Sequence, residues 1–207
     1  MGNCSVPGED RPNSEANFQI PFDLFVSKKQ KKRLGSSRSY IRFADSFGNL
    51  VFKVERPPNN KDKSTKASHH TIKLVIDASG KTLISIHKVK NGSWQGFRMQ
   101  DSREDLIFRV EETLAKLTRT EFDIFLIGEN GQESTDFKMR GCPFKRSCTV
   151  YKGDSILAET SLMYKLGIQK AFVPRSRFRV TLFPGFTDHP LIVALVAIFF
   201  HGRKLWV

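Results

Sequence analysis

Ten consecutive apolar residues close to the end of the sequence, residues 191–200, constrain the fold more than any other segment. A helix needs about 20 apolar residues to cross the roughly 30 Å hydrocarbon core of a bilayer. This run has half that length and ends at His201, which begins a basic cluster. Asp188 is placed to cap a helix and Pro190 to occupy its first turn. Because no face of the helix would be polar, we expect it to be buried on every side, over about residues 189–200.

Short runs of alternating apolar and polar residues fill most of the chain between residue 20 and this helix. A period of two is typical of half-buried antiparallel strands, in which one face packs on a core. Counting the runs predicts eleven or twelve strands. The apolar faces include Leu50, Phe52 and Val54; Ile72, Leu74 and Ile76; Leu106, Phe108 and Val110; Phe122, Ile124 and Leu126; and Phe178, Val180 and Leu182.

Turn-forming residue pairs separate these runs. The pairs are Gly48-Asn49, Ser79-Gly80, Asn91-Gly92, Asn130-Gly131 and Gly153-Asp154. Such pairs favour hairpins because glycine readily adopts a positive φ. Segments 45–54 and 77–86 share an Asp, a Gly three residues later and an apolar alternation, so we expect the same turn chemistry in both. The polar stretch 57–70 is predicted as an exposed, mobile loop and residues 1–17 as a disordered arm.

The strands and the apolar helix together predict one architecture. Strands with a single apolar face must enclose a core, and closing the sheet also removes its unpaired edges. A barrel of about twelve strands has an interior too wide for side chains alone, and a helix about 10 Å across fits it. We therefore predict a mainly β fold, a closed antiparallel barrel around the C-terminal helix, in a single domain over residues 18–207. The alternative is a two-sheet sandwich with the helix covering one open end.

The charge balance favours a polyanionic partner. The chain has 34 Lys and Arg against 21 Asp and Glu, a formal net charge of +13. Anionic lipid headgroups, nucleic acid and acidic proteins all fit such a chain. Two clusters are the candidates for binding anionic lipid: Lys28, Lys29, Lys31, Lys32 and Arg33 in the first, and Arg175, Arg177 and Arg179 in the second.

The two basic clusters allow more than one interpretation. Each cation near an anionic membrane contributes about 1 kcal/mol to binding. The first cluster equally fits a nuclear-import signal or a nucleic-acid patch. Nucleic acid is less favoured, because the basic strand has few aromatic residues that could stack on bases. A solvated basic surface without a specific partner is the remaining interpretation.

The N-terminal residues suggest a second membrane contact. Gly2 follows the initiator methionine, and Cys4 is where a palmitoyl group would lie beside a myristoyl group. The myristoylation pattern prefers Ser or Thr at position six, where this chain has Val6. Residues 1–17 have no apolar core of the kind a secretory signal requires, and three cysteines are too few for a disulfide framework. We expect an intracellular protein, cytoplasmic with peripheral association at the plasma membrane, and the nucleus as the alternative.

Motifs that would indicate catalysis are missing from the sequence. It contains no G-x-S-x-G elbow, P-loop, dinucleotide glycine fingerprint or H-E-x-x-H. His69 and His70 are adjacent in a polar stretch, and adjacent imidazoles rarely bind one metal ion together. We predict a non-enzymatic monomer with no catalytic residues, no metal site and no cofactor.

Six segments in a fixed order resemble the LURP-one-related family of plants. They are FADSFGNLVFKVE at 43–55, VIDASGKTLISIHK at 75–88, WQGFRM at 94–99, IFRVEET at 107–113, DFKMRGCPFKRSCTVYKGDSILAE at 136–159 and PGFTDHPLIVALVAIFF at 184–200. The family's fold resembles the C-terminal domain of tubby proteins and the phospholipid scramblases. The resemblance, over about residues 20–202, implies a twelve-stranded barrel around a central hydrophobic helix.

Two functions follow from the residues and the resemblance together. The first is a tubby-like adaptor that binds anionic membrane lipids, phosphoinositides in particular, and acts in plant signalling or defence. The second is a nuclear regulator of transcription that uses residues 28–33 for import or for contact with DNA. Scramblase-like lipid transport is disfavoured, because the apolar helix is too short to span a bilayer.

Overall fold

The computed structural model describes residues 20–33, 36–57, 70–89, 92–100, 103–116, 118–128, 131–163 and 177–201. These ranges contain twelve strands, numbered in chain order, and they are followed by one helix, α1, at His189–Phe199. A short 3-10 helix, Pro143–Lys145, lies between β9 and β10. The strands are β1 Phe22–Arg33, β2 Ser36–Ala44, β3 Leu50–Glu55, β4 His70–Asp77, β5 Thr82–Lys88, β6 Trp94–Gln100, β7 Arg103–Ala115, β8 Thr120–Ile127, β9 Glu133–Cys142, β10 Ser147–Lys152, β11 Ser155–Leu162 and β12 Arg177–Leu182.

Every strand pairs antiparallel with its neighbours in the sequence, and the sheet closes on itself. Closure occurs between the first and last strands, where β1 and β12 pair from Phe22↔Leu182 to Ser27↔Arg177. The predicted barrel of about twelve strands is therefore confirmed, and the two-sheet sandwich is wrong. The arm predicted at residues 1–17 and most of the predicted loop at 57–70 lie outside the described residues.

Helix α1 occupies the inside of the barrel. All ten residues of the apolar run, 191–200, are buried, which confirms the prediction of a helix that is buried on every side. The side chain of Asp188 accepts a hydrogen bond from the backbone N–H of Leu191 at 3.1 Å, as expected of a helix cap. Rings near the end of the helix pack against the wall on β8 and β12, with ring centroids of Phe199 and Phe122 5.9 Å apart and those of Phe200 and Phe178 5.0 Å apart.

The direction of α1 defines two ends of the barrel. Phe22, at the start of β1, stacks on His189 at the start of α1, with ring centroids 6.1 Å apart. Trp94, at the start of β6, contacts His201 just beyond the end of α1, with ring centroids 4.6 Å apart. We call the first end the N-mouth and the second the C-mouth. Because neighbouring strands are antiparallel, the odd-numbered strands all end at the C-mouth and the even-numbered strands begin there.

The predicted turns are confirmed by their glycines, which have positive φ at all five sites: Gly48, Gly80, Gly92, Gly131 and Gly153. The two similar segments share the expected turn chemistry. Asp45 accepts a bond from the backbone N–H of Asn49 at 2.7 Å, and Asp77 accepts one from Lys81 at 2.9 Å. These side chains hold the chain in a tight turn at the N-mouth.

Most of the predicted apolar faces pack inward, and the one in β4 departs from the prediction. Phe52, Phe108, Phe122 and Phe178 are buried, and so are Val54, Val110, Ile124, Val180 and Leu182. The remaining members of these faces, Leu50, Leu106 and Leu126, are half-buried. In β4, however, Lys73 and Val75 are buried and Lys73 contacts α1, whereas Leu74 of the predicted face is only half-buried. Ile76 of that face is buried, next to an irregularity in the pairing with β5, and the side chain of Ile72 lies outside the described residues. The sequence Leu-Val-Ile is apolar on both faces, so the alternation in this strand has no distinct phase.

Candidate anion-binding surface

The first predicted basic cluster lies in β1, where the alternation of a strand divides it between two faces. Lys28 continues the inward-facing series of Leu24 and Val26 and is half-buried, whereas Lys29 is exposed. The backbone of the cluster pairs with β2 as far as Arg33↔Ser36. The side chains of Lys31, Lys32 and Arg33 lie outside the described residues.

The second predicted cluster is at the start of β12. Arg177 and Arg179 are both exposed and alternate with the buried Phe178. Arg177 lies opposite Ser27 of β1 and so adjoins the first cluster near the C-mouth. Arg179 is further from this end, and its Nη1 lies 3.4 Å from the carboxylate of Asp23. Arg175 lies outside the described residues, as do the lipidation candidates Gly2 and Cys4.

Further exposed cations lie at the C-mouth, where the chain passes from one strand to the next. The sequence alone does not show that these residues share one end of the barrel. They come from four separate connections, which the barrel brings to one end. They are Arg56 after β3, Lys88 at the end of β5, Lys116 and Arg119 between β7 and β8, and Lys145 between β9 and β10.

Acidic residues near the C-mouth lie within the strands, and two of them form ion pairs there. Glu55 is 3.1 Å from Lys53, and Glu121 contacts Arg119 and lies 3.9 Å from Arg140. These short-range pairs neutralise charge on the barrel wall. The connections that form the rim of the C-mouth therefore remain predominantly basic.

The N-mouth carries both signs of charge. Lys81, Arg103 and Lys152 are exposed there, and Asp188 pairs with Arg98. The turns and strand ends at the N-mouth carry carboxylates: Asp45, Asp77, Glu133, Asp154 and Asp188. A hydrogen bond from the Asn49 side chain is the main cause that lowers the pKa of Asp45, and one from Ser79 does the same for Asp77. Both carboxylates are therefore ionised throughout the neutral range. Among the described residues, the excess of exposed cations therefore lies at the C-mouth, where α1 ends.

Lys73 is a basic residue near the C-mouth whose side chain lies inside the barrel. It is only 8 % exposed, and its Nζ donates a hydrogen bond of 2.8 Å to the backbone carbonyl of Ala197. Carbonyls in the last turn of a helix have no N–H partner within the helix and carry negative partial charge. Burial, and secondarily the charge of Arg56, lowers the pKa of Lys73 to about 7. This lysine therefore fixes the end of α1 to the wall of the barrel.

His201 lies beside this lysine, immediately after α1. The ring of His201 contacts the ring of Trp94. The Nζ of Lys88 lies 5.7 Å from the centroid of the Trp94 ring. Burial lowers the pKa of His201 to about 4, and repulsion from Lys73, Lys88 and Arg56 contributes in that order. Three cations thus act on one imidazole, which is neutral at physiological pH.

The lowered pKa of His201 predicts a loss of stability in mild acid. In the unfolded chain the imidazole takes up a proton near pH 6.5, whereas in the barrel it does so only near pH 4. Between these values the unfolded state binds more protons, so the free energy of unfolding falls as the pH is lowered from about 6.5 to about 4. Discounted for partial exposure, the loss is about 1 to 2 kcal/mol. Urea unfolding of the wild type and of His201→Gln at pH 7 and pH 4.5 measures it, and an equal loss in both proteins would contradict this assignment.

Sequence similarity relates the chain to known proteins of one family. The model of the LURP-one-related family matches residues 23–200. The chain belongs to the LURP-one-related family. It is 40 % identical to LURP-one-related 7 of Arabidopsis thaliana over 92 % of this chain and 95 % of that protein. It is also 26 % identical to LURP-one-related 15 of the same plant, over 86 % of this chain and 78 % of that protein.

One group in this LURP-one-related barrel contains the residue types of a hydrolase. Ser85 Oγ lies 3.2 Å from Nε2 of His87 and donates to Glu104 at 3.5 Å. In a catalytic triad the carboxylate orients the histidine and the serine reaches the substrate. Here Glu104 contacts the serine, and Ser85 is buried. The group is therefore not arranged to supply a nucleophile.

The described part of this LURP-one-related chain shows neither a cluster of metal ligands nor a helix that could span a membrane. No three His, Cys, Asp or Glu side chains within the described ranges lie close enough together to hold a metal ion. No helix in the same ranges is both long enough and apolar enough to cross a bilayer.

Proposed function

We propose that this LURP-one-related protein is a non-enzymatic adaptor that binds anionic membrane lipids reversibly, with the C-mouth toward the membrane. The observation that carries the proposal is the concentration of exposed cations at the C-mouth, whereas the N-mouth carries both signs of charge. Phosphoinositides are the proposed lipids, and plant signalling or defence is the proposed setting. The relatives from Arabidopsis thaliana support the plant setting.

The field of an anionic membrane would orient the barrel as it approaches. A membrane surface attracts cations only within about one Debye length, which is about 8 Å at physiological ionic strength. A barrel with mixed charge around it would have no preferred face, whereas this one presents Lys29, Arg56, Lys88 and Arg177 at one end. The N-mouth, where carboxylates lie among lysines and arginines, is attracted less, so the field favours approach with the C-mouth first. Acylation at Gly2 and Cys4 stays a prediction and would add a second anchor.

The nuclear alternative stays a prediction as well. It needs residues 28–33 as an import signal or as a contact with DNA. In the structure their backbone pairs with β2, so a receptor or a nucleic acid would have to recognise side chains on a formed strand. The vesicle experiment below tests the membrane proposal against this alternative.

Charge reversal at the C-mouth tests the proposed function. Lys29→Glu combined with Arg177→Glu is expected to weaken sedimentation with vesicles that contain phosphatidylserine and phosphatidylinositol 4,5-bisphosphate. Each basic residue near the surface contributes about 1 kcal/mol, so losing two lowers the partition coefficient about 30-fold. Sedimentation at 0.15 M salt over a series of lipid concentrations measures the coefficient.

The matched control reverses two exposed lysines at the other end, Lys81→Glu with Lys152→Glu. Lys81 precedes β5 and Lys152 ends β10, so both lie at the N-mouth. The net charge changes by the same amount in the two double variants. The proposal predicts near-normal binding of the N-mouth variant. Equal loss in both variants, or wild-type protein that does not sediment at this salt concentration, would refute docking through the C-mouth.

A further inference from the structure

We infer that the C-mouth contains a binding site for a phosphate group, with Arg56 and Lys88 at the rim and Lys73 and His201 behind them. This inference deepens the proposed function and rests on it, since it names the chemical group that the membrane-facing end recognises. The site is built from the ends of three strands and of α1, and none of its four members belongs to the basic clusters predicted from the sequence.

The four side chains form a graded path from solvent into the barrel. Arg56 and Lys88 are exposed, His201 is half-buried and Lys73 is buried. Trp94 joins two of them, because its ring contacts the ring of His201 at 4.6 Å and its centroid lies 5.7 Å from the Nζ of Lys88. On the far side, the hydrogen bond from Lys73 to Ala197 fixes the amine beside the end of α1.

The electrostatics of this group favour an anion. Arg56, Lys73 and Lys88 each repel a proton on His201, and Arg56 also repels the charge on Lys73. Like charges held this close in a partly dry site raise the free energy of the protein, and an anion placed among them lowers it. One carboxylate, that of Glu112, also lies at this rim. Its Oε2 is 4.0 Å from the position that a Cβ on Gly92 would occupy, and Glu112 interacts with another group of the protein.

The donor set suits a phosphate group in particular. A guanidinium presents a planar pair of donors to two phosphate oxygens, and ammonium groups add point charges. An imidazole can add a third kind of donor once it is protonated. The C-terminus of α1 directs negative partial charge toward the same mouth, which disfavours an anion. Lys73 offsets that effect, because its amine covers the carbonyl of Ala197.

Binding of a phosphate group would change the protonation of the site. A nearby dianion stabilises the imidazolium form, so the pKa of His201 would rise from about 4 toward its ordinary value. Binding would therefore be accompanied by uptake of a proton on His201. The affinity itself also follows the second protonation of the phosphate, at a pKa of about 6, so the titration of the ring is the direct readout. The rise in the pKa of His201 distinguishes a phosphate among these four side chains from a phosphate bound elsewhere on the basic surface.

The test uses the full chain and two soluble probes, inorganic phosphate and inositol 1,4,5-trisphosphate. NMR titration of the His201 ring is expected to show its pKa rising by at least one unit in saturating trisphosphate. Calorimetry is expected to show about 10- to 100-fold weaker binding by Arg56→Gln with Lys88→Gln, and unchanged binding by Lys81→Gln with Lys152→Gln. Both replaced rim residues are exposed, and the wild-type titration does not depend on the folding of any variant.

The outcomes separate this inference from the proposed function. A His201 pKa that does not move, or equal affinity in the two double variants, overturns the phosphate site even if vesicles still bind through Lys29 and Arg177. A shifted pKa together with failure to sediment with vesicles supports the site and refutes membrane docking. Equal affinity for both probes assigns the site to free phosphate, whereas binding of the trisphosphate alone assigns it to a lipid headgroup.

Discussion

Leu195→Asp is expected to prevent the barrel from folding. Leu195 lies in the middle of the apolar run and is fully buried. Burying an ionised carboxylate costs several kcal/mol, and the lost leucine contact adds about 2 kcal/mol. The total approaches the whole stability of an ordinary domain, about 5 to 15 kcal/mol. Circular dichroism is expected to show no cooperative thermal transition, and most of the expressed protein is expected to be insoluble.

The control for this variant is Leu195→Met, which keeps the volume and the apolar character of the side chain. It is expected to cost less than about 1.5 kcal/mol. The difference between the two variants separates the effect of a charged group at position 195 from the effect of replacing the leucine side chain. A folded Leu195→Asp protein with a melting temperature near that of the wild type would contradict the buried position of α1.

Gly141→Ala is expected to destabilise the barrel by about 3 kcal/mol or more. Gly141 pairs with Thr120 on one side and Cys148 on the other, so its backbone is fixed in both ladders. A Cβ at this position would lie 2.1 Å from the carbonyl oxygen of Ser147 and 2.7 Å from the Cα of Cys148. Both neighbours are backbone atoms, which can move only by disrupting the pairing of β9 with β10.

The measurement is thermal unfolding, in which this loss corresponds to a melting temperature lower by about 10 °C for a chain of this size. Gly128→Ala is the matched control, because a Cβ there would be at an ordinary 3.5 Å from the carbonyl oxygen of Gln132. Neither Gly128 nor Gly141 has a positive φ. Equal shifts for the two variants would contradict the close approach at Gly141.

The architecture could be predicted because local patterns and one global constraint agree. Alternation marks the strands, glycines mark the turns, and the run at 191–200 is too short to span a bilayer and too apolar to be exposed. Such a helix requires a surrounding wall, and twelve strands provide one. The resemblance to the LURP-one-related family pointed to the same fold, and the match over residues 23–200 confirmed the family.

The candidate site could be predicted only in part, because it depends on which chain ends meet. The basic run at 28–33 is visible in the sequence, but the contribution of Arg56 and Lys88 requires knowing that alternate connections share one mouth. An apolar face of Ile72, Leu74 and Ile76 predicts Lys73 on the outside of β4, and Leu-Val-Ile is apolar on both sides, so the alternation does not reveal the buried lysine. Only contact with the carbonyl of Ala197 reveals its role. The concentration of exposed cations at one mouth is therefore a property of the closed barrel rather than of any segment.

Native-state hydrogen exchange of the amides in α1 tests the central claim most directly, that a closed barrel encloses this helix. If the wall surrounds α1, its amides exchange only when the whole barrel opens. Their exchange free energy then equals the free energy of global unfolding and has the same dependence on denaturant. Amides of residues 193–200 that exchange through a local opening, with a free energy several kcal/mol below the global value, would contradict the claim.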